Sequence, residues 1–424
     1  MSSLMLSDQM PTIFKNKARL SLDVLWHIGG ILIFSILGSK LAWQTGQFWT
    51  AEFAYHIIAY TWLAYILGLF VGRRLMAQAR SRSVTAVFLS VSIFYLIMLS
   101  VISFSRVYYS RTFIGIAFII TLLWQWLSLV FLIRVRPRLG LMPVGMTRSL
   151  QSLSGAEWVE LNEPNEVENV DGLVCDLHEE IAPSWLRYIA ESSLRGIPIY
   201  HAASVYEMLT GRVSLSHYTD TIVRSFSLPP LYPHIKRLAD LLTVLIALPI
   251  VLPISVMIYV AVKLDSPGSV FFTQIRVGQR GKQFKLVKFR TMYTDNGDND
   301  ASFASIKDKR VTKVGKFLRR TRLDELPQLW NVLKGEMSII GPRPEQVTFV
   351  EEFTEKIPLY PYRHVVKPGI AGWAQVHQGY AADVEETIEK VSYDLYYVKY
   401  FSLWLDMLIV SKTLKTMITG YGAR

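Results

Sequence analysis

Cysteine is almost missing: Cys175 is the only one in 424 residues. A single thiol excludes an internal disulfide and any cysteine-based metal cluster, and it fits a reducing compartment. The chain also lacks a G-x-G-x-x-G turn after a strand-like run, so the usual dinucleotide cradle is excluded. Acidic residues are the minority, 34 against 45 basic ones, for a net charge of +11. Such an excess suits nucleic acid or an anionic lipid surface. With no zinc finger or other nucleic-acid signature, and with long apolar runs present, the lipid surface is the better reading and no nucleic-acid partner is expected. The N-terminus has no short apolar run ending in a small-residue cleavage site, so its first hydrophobic segment reads as a retained span.

What the chain does have is apolar surface. Apolar residues make up 51% of it, 11 of them Trp, and its mean hydropathy is positive, which places it among membrane proteins. Four runs of spanning length occupy roughly 22–42, 53–72, 86–105 and 112–133. Burying all four in one small water-soluble core is the alternative, and the core would be too small. Lys15, Lys17 and Arg19 precede the first run, Arg73, Arg74, Arg80 and Arg82 fill the second link, and Arg134, Arg136 and Arg138 follow the fourth. The loop 44–53 has no basic residue, although Arg106 and Arg111 sit in the other outer loop. Positive charge stays inside, so the N-terminus and everything after 134 are expected in the cytoplasm.

From about 137 to 230 the chain turns polar. Gly172–Asp176 and Ile197–His201 read as strands, Pro183–Arg195 and Val205–Leu209 as helices, an alternation that suggests a small doubly wound sheet. Without a phosphate turn, a structural or regulatory role is favoured over cofactor binding. Ser227, Pro229, Pro230 and Pro233 mark a linker. A fifth apolar run, 238–262, differs by containing Pro249 and Pro253. Each proline costs a straight helix about 3 kcal/mol or more. A full crossing from Lys236 and Arg237 would also carry residues 263–424 out of the cell, away from cytoplasmic substrates. A helix-break-helix hairpin that enters and leaves by the cytoplasmic face resolves both difficulties; a kinked fifth span is the alternative.

Polar residues cluster after 263. Lys282, Lys285, Lys288 and Arg290 fall in an alternating stretch that suggests a strand with cations on one face. Arg319, Arg320, Arg322 and Arg343 then surround the adjacent carboxylates Asp324 and Glu325; arginines in such a group can hold a diphosphate through paired hydrogen bonds. Leu326, Leu329 and Leu333 have helical spacing with Pro327 in the first turn, so Asp324 is either an N-cap or an ionised carboxylate beside a bound phosphate. In the second case it is a candidate nucleophile and Glu325 a candidate magnesium ligand.

LDELPQLWNVLKGEMSIIGPRP, together with KRLAD, FTQIRVGQRGKQFKLVKFRTM, KPGIAGWAQV and YDLYYVKY, resembles the bacterial sugar transferases, the monotopic-type polyprenyl-phosphate sugar-1-phosphate transferases. Four spans and a soluble domain upstream resemble the long form of that family. The resemblance implies a membrane α-helical N-terminal bundle (1–136), a small α/β Rossmann-like soluble domain without a phosphate loop (137–232) and a mostly helical catalytic domain (233–424) with a re-entrant membrane hairpin broken at Pro253. It implies that Asp324 attacks the sugar-bearing phosphate of a UDP-sugar, that UMP leaves, and that polyprenyl phosphate accepts the phosphosugar at the bacterial inner membrane. This step starts exopolysaccharide, capsule or O-antigen repeats. By the same resemblance Glu325 attends Mg2+, and Lys288, Arg319, Arg343, Lys367 and Asp394 handle substrate. The sequence leaves the sugar and the oligomeric state open, a homo-oligomer included.

Two positions depart from the family pattern, Arg322, where a small residue is common, and His377, where Asn or Ser is common. His377 reads first as structural. The aromatic segment 391–418, with Tyr393, Tyr396, Tyr397, Tyr400, Phe401 and Trp404, reads either as interfacial helices or as buried core. Two competing functions remain: a transferase that binds both substrates without a covalent intermediate, and a membrane scaffold that recruits assembly proteins.

Overall fold

The computed structural model describes residues 17–50, 52–77, 84–133, 137–164, 170–215, 228–293, 310–378 and 384–419. Of the residues used above, Lys15, Arg80, Arg82, Arg134, Arg136 and Ser227 lie outside these. The chain forms two compact units, Met1–Gly211 and Arg212–Arg424.

In the first unit the four apolar runs become helices Lys17–Trp43, Tyr55–Ala77, Val84–Ser105 and Arg111–Ile133. Each is long and apolar enough to cross a membrane. The second helix packs along the third and the first along the fourth, around Phe34, Tyr65, Val91 and Phe113. Leu22, Phe88, Leu96 and Phe104 point outward, a surface that suits lipid and not water. Packing alone holds apolar helices together weakly in lipid, so small residues and internal polar pairs matter. A Cβ on Gly30 would stand 2.5 Å from the Trp124 ring, and that close approach joins the first helix to the fourth. Arg73 ties to Asp23 at 2.6 Å, and the His27 ring meets the Tyr65 hydroxyl at 2.7 Å.

The same unit contains a four-stranded parallel sheet, β1 (Arg138–Leu141), β2 (Glu157–Glu160), β3 (Gly172–Cys175) and β4 (Ile199–His201), in the order β2-β1-β3-β4. Sequence pattern located β3, β4 and the helices Pro183–Leu194 and Ala202–Thr210. It missed β1 and β2: β1 carries a glycine between its two leucines, and β2 alternates too little to be read.

The second unit begins with helix Tyr232–Asp265, in which Pro249 and Pro253 lie within one helical element. The expected gap between two separate helices is therefore absent from the secondary structure. Its two ends are anchored to the rest of the unit. Near the start, Arg237 donates to the Val332 and Leu333 carbonyls at 2.5 and 2.8 Å, and the buried Lys236 pairs with Asp406 at 2.6 Å. At the end, Asp265 accepts from the Val314 N–H at 3.2 Å, and Arg290 donates to the Ser266 carbonyl at 2.7 Å. Between Val244 and Ile258 no residue is buried.

The antiparallel hairpin β5 (Phe271–Val277) and β6 (Gln283–Phe289) follows. The strand expectation held for β6, but its cations do not share a face. Lys285 and Lys288 are three residues apart, so a pleat of period two sends them to opposite sides. Arg290 turns into the interior to hold the end of the long helix. Tyr396, Tyr397 and Phe401, on helix Val384–Lys399 and the turn after it, are buried, so for these rings the core reading prevails. Helix Leu403–Thr419 closes the unit.

Helix Lys313–Thr321 can pack only because residue 315 is glycine: a Cβ there would lie 2.1 Å from the Thr291 carbonyl oxygen. Gly315→Ala is expected to lower stability by about 1–3 kcal/mol through this overpacking. A thermal melt of the detergent-solubilised protein, compared with the exposed control Lys316→Ala, checks it.

Candidate active site

Thr312 starts the short helix Lys313–Thr321 by accepting the Gly315 N–H on its Oγ1 at 2.9 Å. The helix ends at Arg322, whose φ of 57° puts a non-glycine residue in the left-handed region. That conformation costs about 1–2 kcal/mol, and it reverses the chain into the 3-10 turn Leu323–Glu325. The next helix starts only at Gln328, with Pro327 as its N-cap and no side-chain cap bond. Asp324 is thus not the cap of a helix, and the helix terminus expected beside it is displaced by a turn. Side-chain charge is left to define its environment.

That environment is brought together from three elements. Lys288 comes from β6, Arg319 from helix Lys313–Thr321, and Arg343 from the loop after β7 (Ser338–Ile340). Arg343 donates to Glu325 at 2.9 Å, and Arg319 Nε donates to Thr291 Oγ1 at 2.9 Å. The cations were expected to keep Asp324 firmly ionised. Burial, and then the neighbouring Glu325, outweigh Lys288, Arg343 and Arg319, and push its carboxyl up to about 6. Lys288 moves the other way, to about 8, through burial and the repulsion of Arg343, with Asp324 opposing. Its ammonium stands 5.0 Å over the Phe272 ring. Acid and amine both lie within reach of neutral pH, and perturbed groups brought together in this way mark a candidate functional site.

Asp394 does not enter this group. Its buried carboxylate accepts from Arg363 at 2.8 Å, and the same guanidinium donates to the Arg343 backbone carbonyl at 2.9 Å and to the Tyr360 hydroxyl at 2.8 Å. Nearby Glu345 pairs with Lys390 and with Arg276 at 3.6 Å. Burial alone would raise the Glu345 carboxyl, but Lys390, Arg363 and Arg276 bring it down to about 2. A buried ionic layer of this kind supports the loop that presents Arg343, and Asp394 belongs to that layer and not to the substrate face. Arg363 was not singled out from sequence. A lone arginine between tyrosine and histidine carries no pattern that marks it.

Lys367 is also elsewhere, beside Gly335 and Arg237. His377 is structural: it meets the Trp373 carbonyl through Nδ1 at 2.9 Å and Lys412 through Nε2 at 2.6 Å. Burial and then Lys412 lower its pKa to about 3. A neutral ring donating from Nδ1 and accepting at Nε2 satisfies both contacts.

Among the described residues no group of three His, Cys, Asp or Glu side chains could hold a metal ion. Magnesium often binds through one or two carboxylates and completes its shell from substrate phosphates and water. Asp324 and Glu325 fit that arrangement and no fuller one.

Residues 231–420 match the family described as bacterial sugar transferase. An Aeromonas hydrophila protein named UDP-N-acetylgalactosamine-undecaprenyl-phosphate N-acetylgalactosaminephosphotransferase is 45% identical over 324 residues, 76% of this chain and 77% of its own. The UDP-glucose:undecaprenyl-phosphate glucose-1-phosphate transferase of Escherichia coli is 46% identical over 181 residues, 42% of this chain and 39% of its own. A Bacillus subtilis protein named as a putative undecaprenyl-phosphate N-acetylgalactosaminyl 1-phosphate transferase is 49% identical over 132 residues, 31% of this chain and 74% of its own. The similarity to the first runs through both compact units, and together with the bundle of spanning-length helices and the charged turn around Asp324 it makes this chain a multi-pass membrane enzyme of the bacterial sugar transferase family.

Proposed function

We propose that this protein transfers a sugar 1-phosphate from a UDP-sugar to undecaprenyl phosphate through a covalent intermediate on Asp324. The observation that carries the proposal is one half-buried carboxylate beside Glu325 on which Lys288, Arg343 and Arg319 all act. Three cations attract the diphosphate, and at about 6 the carboxyl is still mostly ionised at neutral pH. A carboxylate oxygen of Asp324 attacks the phosphorus that bears the sugar. The phosphorus–oxygen bond to UMP breaks, and UMP leaves with the electron pair. The lipid phosphate then attacks the same phosphorus and returns the carboxylate. The glycosidic bond stays intact throughout. Glu325 would hold magnesium, which when bound would offset diphosphate charge; without it, Glu325 keeps Arg343 in place. The Aeromonas relative is named for N-acetylgalactosamine, so UDP-N-acetylhexosamines are the first donors to assay, as a step that initiates surface polysaccharide.

The catalytic unit acts at the cytoplasmic face of the inner membrane, with the long helix re-entrant. Both ends of the helix are tied to the same unit, its middle is unburied from 245 to 257, and Pro249 and Pro253 lie in that stretch, which supports a helix bent within the membrane. Ser269 is exposed just beyond the helix. A cysteine placed there is expected to react with an impermeant maleimide only when the cytoplasmic face is accessible, and labelling from the periplasm would replace the hairpin by a span.

Asp324→Asn should keep the fold and lower turnover by about three orders of magnitude or more, as loss of a nucleophile does. Wild-type protein given UDP-sugar without lipid should release one UMP per active site and gain a sugar-phosphate mass on the peptide containing Asp324. Retained activity, or no adduct on rapid quench, would support the ternary-complex reaction instead.

Turnover should also be bell-shaped in pH. Asp324 must be charged to attack, so the rate falls as pH drops through about 6. Lys288 must be protonated to hold phosphate, so the rate falls again above about 8. Lys288→Arg is expected to remove the alkaline limb of kcat/KM and leave the acid one.

A further inference from the structure

We propose that Arg237 and Lys367 form a docking site for the headgroup of an anionic phospholipid, separate from the reacting centre. The two side chains converge on Gly335, whose φ is 83°. A Cβ built there would lie 3.4 Å from Arg237 Nη2 and 3.5 Å from Lys367 Nζ. Both cationic groups thus lie within van der Waals reach of one point beside the Gly335 backbone. Arg237 has an internal explanation in the carbonyls of Val332 and Leu333. Lys367 has none: among the described residues its half-buried ammonium forms no hydrogen bond or ion pair. The acid that acts on its charge is Asp240, which already accepts the Ile339 N–H at 3.2 Å. Two like charges beside one engaged carboxylate leave the site positive, which attracts an anion.

The neighbouring surface says what kind of anion. Directly after Arg237 the helix exposes Leu238, Leu242 and Leu245, which fall on one helical face. A phosphate held by Arg237 and Lys367 therefore has a hydrocarbon-compatible flank beside it, which favours a lipid over free phosphate. Trp330 is exposed on the adjoining short helix, with the Lys334 ammonium 5.5 Å above its ring, a pairing suited to headgroup depth. This lipid is not the acceptor in its reacting pose. Helix Gln328–Lys334 separates the Asp324 turn from Gly335 by about 10 Å of axial rise, and Lys367 is not among the charges that shift Asp324. A bilayer phospholipid at this position would fix the depth of the long helix while the active turn stays open to substrates.

The site rests on that helix lying in the membrane, and its test uses lipid retention without turnover, so that it stands or falls apart from the chemistry. Full-length protein is reconstituted in nanodiscs of mixed phosphatidylglycerol and phosphatidylcholine, and retained lipid is counted by native mass spectrometry. Wild type should retain phosphatidylglycerol preferentially. Lys367→Gln should lower that preference about fivefold, the effect of one cation at an anionic surface, and Lys367→Arg should restore it. Equal retention by wild type and Lys367→Gln overturns the proposal. Displacement of the retained lipid by polyprenyl phosphate at stoichiometric amounts would overturn it in favour of a substrate site, and displacement by inorganic phosphate in favour of a free-anion site. A monodisperse Lys367→Gln with a wild-type thermal melt excludes misfolding of the glutamine variant as the cause.

Discussion

Holding several like charges close together inside a protein is the constraint on which the catalytic unit depends. Lys288, Arg319 and Arg343 repel one another, and Asp324 and Glu325 stand among them to offset part of that repulsion. The surrounding structure has to keep the cations in place when no substrate is bound. It does so by backbone anchoring. Arg343 rides on a loop whose carbonyl is held by the buried Arg363, and Arg319 is tied to Thr291, against which Gly315 also packs. The Arg363, Asp394, Glu345 and Lys390 layer is costly to desolvate and is offset by its own pairing. Under the proposed mechanism, Arg343 then does not have to be ordered when substrate arrives.

The same constraint joins chemistry to the membrane. The long helix is anchored at both ends to the unit that carries the site, through Lys236, Arg237 and Asp240 at one end and Asp265 and Ser266 at the other. Its middle is exposed and apolar. An exposed apolar stretch suits lipid and not water, and under the re-entrant reading proposed above its insertion sets the depth of everything bonded to its ends. Buried Asp406 accepts Tyr232, Lys236 and Tyr397 together, which connects the C-terminal helices to the same anchor. The proposed transfer between a nucleotide sugar and a lipid phosphate needs this kind of fixed height more than it needs a deep pocket.

Sequence by itself determined the elements whose signal is local. The four helices of the bundle were legible because each is a run of spanning length, and β3, β4 and two helices of the small sheet because their patterns are clean. The motif around Asp324 was legible as a cluster, since adjacent carboxylates among arginines are rare without a charged ligand. Only the tertiary structure decided which members of the cluster meet. Lys285 and Arg290 leave the face that Lys288 keeps, because strand pleating and an interior carbonyl direct them elsewhere. Asp394 and Lys367 go to other places because helix Val384–Lys399 and the strand β8 (Gly369–Ala371) carry them there. The upward shift of Asp324 was beyond sequence as well: a list of neighbouring arginines predicts a lowered pKa, and burial, which depends on long-range packing, reverses the sign.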